Sequence, residues 1–189
     1  DLVLALATAD AEQRPVQRTM RFMPLMMGVL FCRQWFDDDS EAEARIRRQA
    51  EDLYARVDWR WAARGQPGIT YAWHPGRGHA RDSWRGLDES MFLVLLAMGS
   101  PSHALGPEAW AFWSASIDTR FGGYGSPWGP PHLQFGPLFG HQYTQVWVDL
   151  RGVADATARR HGLDWFDNSR RATLAQRAYA IANPRGWKG

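Results

Sequence analysis

Apolar and polar positions divide the chain into helical stretches of two kinds. Residues 25–36, LMMGVLFCRQWF, make an apolar run that stops at the acidic cluster Asp37–Asp39. Ser40 and Glu43 then have the spacing of a capping box, in which each side chain meets a free N–H of the first helical turn. The stretch that follows, EAEARIRRQAEDLYARV, carries Ile46, Leu53 and Val57 on one side and charges elsewhere, which predicts an amphipathic, outward-facing helix. LDESMFLVLLAM, 87–98, is instead apolar on every side after its first turn, and such a helix must be covered all round. Pro107 stands where a first helical position would be and opens EAWAFWSASI. HQYTQVWVDL, 141–150, reads as a further helix with Asp149 at its far end. SRRATLAQRAYAIAN, 169–183, ends before Pro184 and has alanines at positions that allow close packing.

GITYAWHP, 68–75, alternates between Gly and Pro boundaries and predicts a short strand or hairpin arm. The first 24 residues are harder to divide: DLVLALATADAE has helical character, but Pro15 and Pro24 interrupt the rest. Roughly six helices alternating between amphipathic and wholly apolar predict an all-α fold of two layers, an inner set covered by an outer one, with a short β-hairpin insertion. Strand signals between the helices are missing, which disfavours a parallel α/β sheet, and no repeat of 20 to 50 residues is visible.

Composition narrows the function classes. The 189 residues suffice for one domain with a sizeable core. Eleven Trp are more than a core needs, and because each indole carries an N–H that wants a partner, several are expected to line a groove. Twenty-two basic residues against twenty acidic ones leave a net charge of +2, and the densest basic spots, Arg45/Arg47/Arg48 and Arg170/Arg171, sit among carboxylates or at helix starts. Nucleic acid would want a clustered basic face, so it is not an expected partner. Cys32 is alone, which excludes an intramolecular disulfide, and the longest apolar run, MFLVLLAM, is too short to span a membrane. The six His have no metal-ligand spacing, and no phosphate loop, dinucleotide fingerprint or GxSxG elbow is present. No metal and no cofactor are expected.

Carboxylates beside aromatics remain. WRGLDES, 84–90, puts Asp88 and Glu89 at the mouth of the most apolar helix. They could simply serve the helix N-terminus, or a groove there could desolvate Glu89 and raise its pKa toward that of a general acid. WFDNSRR, 165–171, repeats the theme: Asp167 and Asn168 are either N-caps or site residues, next to Arg170 and Arg171. His141, Gln142 and Tyr143 follow an irregular run, 121–140, in which half the positions are Gly or Pro and the rest are rich in Phe, Tyr, Trp and His. Asp149 reads as a surface or salt-bridge residue.

Three long blocks, GLDESMFLVLLAMGSPSHALGPEAW, FGPLFGHQYTQVWVDLRG and DWFDNSRRATLAQRAYAIANPRGWKG, resemble consecutive parts of the glucoamylase-like (glycoamylase) family. Its members include bacterial endo-β-1,2-glucanases, inverting glycoside hydrolases built on an (α/α)6 toroid. The resemblance covers about residues 25–189 and implies a single partial domain over 1–189, roughly half of the barrel, continuing beyond Gly189. Half a toroid would leave an inner helix such as 87–98 uncovered. The family implies a carbohydrate site at one end of the inner helices, a β-glucan (β-1,2-linked) as substrate and a periplasmic or secreted location. It also supplies Glu89 as the acid, with Asp167 as the in-chain candidate for activating water and Asp88 as a supporting charge. Where relatives often have Glu first, this chain has Asp167-Asn168-Ser169, and where they show Ile-Asp-Thr it reads Met20-Arg21-Phe22.

On this reading the 121–140 run serves sugars, whose C–H faces stack on aromatic rings while their hydroxyls meet polar side chains. The expected substrate contacts are Trp84, Tyr124, Trp128, His141, Gln142, Tyr143, Asn168 and Arg170. Two other functions share these features: a non-hydrolytic carbohydrate-binding module, and a glycosyl-transferring domain of a cyclic β-1,2-glucan synthase.

Overall fold

A computed structural model describes residues 16–118 and 128–188, with side chains from residue 24 onward. The helical reading of DLVLALATADAE, the side chains of Met20-Arg21-Phe22 and the stacking role of Tyr124 lie outside the described residues. The described residues are mostly helical with one two-stranded antiparallel sheet, the all-α class with a hairpin that the pattern predicts. It forms two compact units. One comprises the described residues up to Trp84 with Leu95–Ala109, the other Arg85–Val94 with the described residues from Trp110 onward.

In the first unit α1 (Val16–Trp35) packs on α2 (Glu41–Ala55). Arg33 Nε bonds Glu51 at 2.8 Å, and Arg47 donates to the carbonyls of Phe36 and Asp38, which closes the connection between the helices. Ser40 caps α2 as expected by accepting from Glu43 N–H at 3.3 Å; Glu43 reaches back past Ser40, to Asp38 N–H at 2.8 Å. α3 (Trp59–Ala63) is a five-residue helix capped by Asp58, which accepts from Trp61 N–H at 2.8 Å. The hairpin follows: β1 (Trp73–His74) pairs with β2 (Gly78–His79), Trp73 opposite His79, and an outer bridge joins Thr70 to Ser83. Gly76 and Gly78 supply the positive φ of its turn. Thr70 ties the hairpin to α3, since its N–H and Oγ1–H both donate to Ala62 O, at 3.1 and 3.0 Å.

α4 (Met91–Met98) is covered as its composition demands: Met91, Phe92, Leu93, Val94, Leu96 and Ala97 are buried, and Leu95 and Met98 half-buried. The expectation that a partial barrel leaves this helix bare is therefore wrong for this chain. Its faces are met by side chains such as Tyr143, whose ring lies 5.4 Å from that of Phe92, and Tyr54, whose hydroxyl donates to Leu96 O at 2.6 Å. α5 (Pro107–Ser114) starts at Pro107, as read from the sequence.

Two boundaries in the second unit differ from expectation. HQYTQVWVDL is not one helix: α6 (Leu138–Gln142) gives way to a 3-10 turn at Thr144–Val146, and Asp149 lies beyond both. After α7 (Ala156–Arg160), α8 (Trp165–Ala182) begins four residues earlier than the 169 start predicted. Its cap is Asp164, which accepts from Asp167 N–H at 2.6 Å, so Asp167 and Asn168 are first-turn residues rather than N-caps.

Residues 128–136 form a strap along one face of α8. The Trp128 ring meets Tyr179 edge-on at 6.0 Å; Gly129 sits where an added Cβ would lie 2.6 Å from Ala175 Cα; Pro131 O accepts from Arg171 at 3.2 Å; and Leu133 is held by Asn168. The helix positions 179, 175, 171 and 168 recur at three- and four-residue intervals, the spacing of one helix face. The lengths agree as well: five extended steps cover about 16 Å, and eleven helical rises cover about 16 Å. The strap then turns back, and Gln176 donates to Gly136 O at 3.2 Å.

Candidate active site

Glu89 occupies the turn that leads into α4, and Trp113 of α5 clamps that turn on both sides. The Trp113 carbonyl accepts from Gly86 N–H at 2.7 Å, while its indole Nε1–H donates to Ser90 Oγ at 3.0 Å. Leu87 and Ser90, on either side of the acids, are buried, and Ser90 is fully so. Asp88 Oδ1 accepts from Ser90 N–H at 2.8 Å and from the Ser90 hydroxyl. Trp113 in turn belongs to a tryptophan trio, 4.9 Å from Trp110 and 6.2 Å from Trp165, the first residue of α8. One aromatic core therefore fastens the turn bearing Asp88 and Glu89 and the helix start bearing Asp167.

The seven carboxylates of this unit differ sharply in how they are occupied. Asp118 pairs with His161 at 2.6 Å and Arg160 at 3.1 Å; Asp149 pairs with Arg151 at 2.6 Å; Asp155 caps α7 and accepts from the Trp110 indole at 2.7 Å. Asp164 caps α8 and also holds Gly152 N–H at 2.9 Å, and Asp167 is engaged by Arg171 at 2.7 Å and Arg170 at 3.6 Å. Asp88 is bound to Ser90. Glu89, half-buried, accepts no hydrogen bond and forms no ion pair among the described residues.

Asp88 is desolvated. Burial pushes its pKa from 3.8 up to about 6, with a further push from the Glu89 charge, against the opposing pull of the Ser90 hydrogen bonds and the Trp113 indole. A carboxyl whose pKa rises on folding binds its proton more tightly in the folded state. Its contribution is therefore fully present below about pH 4 and is lost as the pH rises through 6. Asp88→Asn keeps the acceptor for Ser90 and removes the titration. Urea unfolding from pH 4 to 7 should show a stability decline in the wild type that is flatter in the variant; equal slopes would show that Asp88 does not cause it.

The other sequence-predicted contacts are drawn into packing to different degrees. His141 is buried, and its Nε2 accepts from Phe135 N–H at 3.0 Å. Burial, and then the nearby His132, lower its pKa to about 4, so it is neutral. Asn168 holds both backbone groups of Leu133, accepting from the N–H at 2.7 Å and donating to the carbonyl at 3.1 Å. Gln142 is exposed and donates to Thr173 Oγ1 at 3.2 Å; Tyr143 packs half-buried on Phe92; Trp128 packs on Tyr179; and Arg170 is exposed beside Asp167. Trp84, in the first unit, is buried with its ring edge-on to Tyr71 at 4.5 Å. A cavity of about 310 Å³ lies among Gln145–Asp149, Arg151 and Phe166; its carboxylate, Asp149, is the surface ion pair expected from the sequence. Sequence reasoning missed the Trp113–Ser90 clamp, because nothing in the spacing of positions 90 and 113 announces it.

A sequence profile described as "Glycoamylase: Putative glucoamylase" matches residues 81–189, the part that contains this site. The chain is 24% identical to the exo beta-1,2-glucooligosaccharide sophorohydrolase (non-reducing end) of Parabacteroides distasonis, over 87% of this chain and 25% of that protein. It superimposes on the endo-beta-1,2-glucanase of Chitinophaga pinensis, solved with sophorotriose and glucose, with a TM-score of 0.73 and 25% identity, over 87% of this chain and 40% of the other. A glucoamylase-type structure from Bacteroides uniformis gives a TM-score of 0.72 and 28% identity, over 87% and 40%. The chain thus spans about a quarter of the curated relative and two fifths of these structures. With the profile covering more than half of its residues, the chain belongs to the glycoamylase family.

Proposed function

We propose that this chain supplies the acid-bearing part of a glycoside hydrolase that cleaves a β-glucan, β-1,2-linked, with inversion. The observation that carries this reading is the state of Glu89: its turn is clamped on both sides by a buried tryptophan, while its own carboxyl has no partner among the described residues. A general acid needs both, a fixed position and a proton not committed elsewhere. Glu89 would protonate the departing glycosidic oxygen. Asp167, positioned by Arg171 and Arg170, is the carboxylate of this chain proposed to activate water from the other face, across the wider separation that inversion requires. The relatives named for β-1,2-glucan and its oligosaccharides support the linkage.

The test is product analysis with the intact protein and linear β-1,2-glucan. New reducing ends appearing first as the inverted α-anomer are expected. Products in which transferred glucosyl units outnumber reducing ends would replace hydrolysis with the transferase reading, and binding without products would replace it with the binding-module reading.

A further inference from the structure

The first unit displays an aromatic group to which the acid chemistry proposed above assigns no role. Trp61 is 51% exposed and Trp73 is 38% exposed, although Trp59, two residues from Trp61 on the same short helix, is 1% exposed. The Trp61 ring lies 5.8 Å from that of Trp73 and 4.5 Å from the His79 imidazole, tilted 57° to each. The arrangement is firmly held. Thr70 fastens the hairpin to α3, Trp73 and His79 are cross-strand partners, and Arg64, just past the end of α3, donates to Ala80 O at 3.3 Å.

The hydrogen-bond pattern also fixes what His79 presents. Thr70 gives its one hydroxyl hydrogen to Ala62 O, so at the 3.2 Å contact with His79 Nδ1 the ring must be the donor. Neutral His79 then offers Nε2 as an acceptor. Burial, and next the Arg64 charge, lower its pKa and favour this neutral form.

We propose that Trp61, Trp73, His79 and Arg64 form a stacking platform for a glucan chain, with the indoles under successive sugar faces and His79 and Arg64 bonding hydroxyls. The inference rests on the glucan reading above. Two rigid amphipathic rings exposed side by side, rimmed by an acceptor and a guanidinium donor, match a ligand with apolar faces and a hydroxylated edge. A flat ribbon of sugars would want coplanar rings; a 57° tilt suits a chain that turns from one residue to the next. The exposed Arg77 at the hairpin tip adds donors for a neutral polyol.

Binding can be read without turnover, which separates this proposal from the hydrolase reading. In the intact protein, Trp61→Ala and Trp73→Ala should each weaken retention in gels containing β-1,2-glucan by about ten-fold, and the Phe replacements should recover part of it. Retention unchanged in both Ala variants would overturn the platform, as would a lowered melting temperature with binding intact. A measurement on the unmutated protein guards against misfolded variants: N-bromosuccinimide oxidation mapped by peptide mass spectrometry, with exposed Trp35 and Trp187 as references. Glucan should protect Trp61 and Trp73 but not the references. Equal oxidation with and without glucan, or no oxidation of the pair in either case, rules the platform out.

Discussion

Glu89→Gln is expected to lower turnover of linear β-1,2-glucan by the intact protein about a thousand-fold, within the range that a general acid contributes. The glutamine keeps the size and polarity of the side chain and removes the proton. The surrounding clamp involves Trp113, Gly86 and Ser90 but not the Glu89 carboxyl, so the variant should fold and melt like the wild type. What distinguishes an acid from a binding group is the response to the leaving group. An aryl glycoside whose phenolate departs without a proton should recover most of the lost rate in the variant. A uniform loss on both substrates would make Glu89 a binding residue, and near-normal turnover would remove it from the site.

The largest effect on stability is expected at Asn168. Replacement by Leu preserves volume but strands the buried N–H and carbonyl of Leu133, each costing about 1–3 kcal/mol when left without a partner. The combined loss should be about 3 kcal/mol, or roughly 10 °C in melting temperature for a chain of this size. Because the strap residues 128–136 are fastened to α8 at several other points, protection of their amides against hydrogen exchange should fall more than that of α2. A melt within 2 °C of the wild type, by the same scale, would show that water replaces the amide at little cost.

How much of this was legible in the sequence depended on whether the deciding contact was local. The Ser40 cap, the Pro107 start and the burial of most of 91–98 follow from residues within a turn or two of each other, and the structure bears them out. The start of α8 was a different problem. Asp164, Asp167, Asn168 and Ser169 can all cap a helix, and the contact that favours Asp164 is its second oxygen on Gly152 N–H, twelve residues away. The helix read across 141–150 is already broken after Gln142, and beyond the 3-10 turn the Asp149 carboxylate takes Arg151 N–H and the Arg151 guanidinium, a local arrangement in place of continued helical bonding.

The candidate site divides along the same line. Asp88 and Glu89 stood out as acids at the head of an apolar helix, but the desolvation of Asp88 could not be read from adjacent positions. Desolvation falls on Asp88 because its carboxyl turns in toward Ser90. Asn168 and His141 looked like hydroxyl-binding groups, since buried and exposed amides and imidazoles have the same composition. Their backbone partners, Leu133 and Phe135, became visible only with the fold.

The strap has a consequence for how the chain assembles. Its fastenings to Asn168, Arg171 and Gln176 span 35 to 40 residues, and the partner always comes later in the chain. On a ribosome adding about 5–20 residues per second, the segment leaves the exit tunnel seconds before the helix that gives it shape. The later-made coil is thus the template and the earlier-made ribbon the casting, so slow codons placed between them would lengthen the interval in which those aromatic rings are exposed to chaperones.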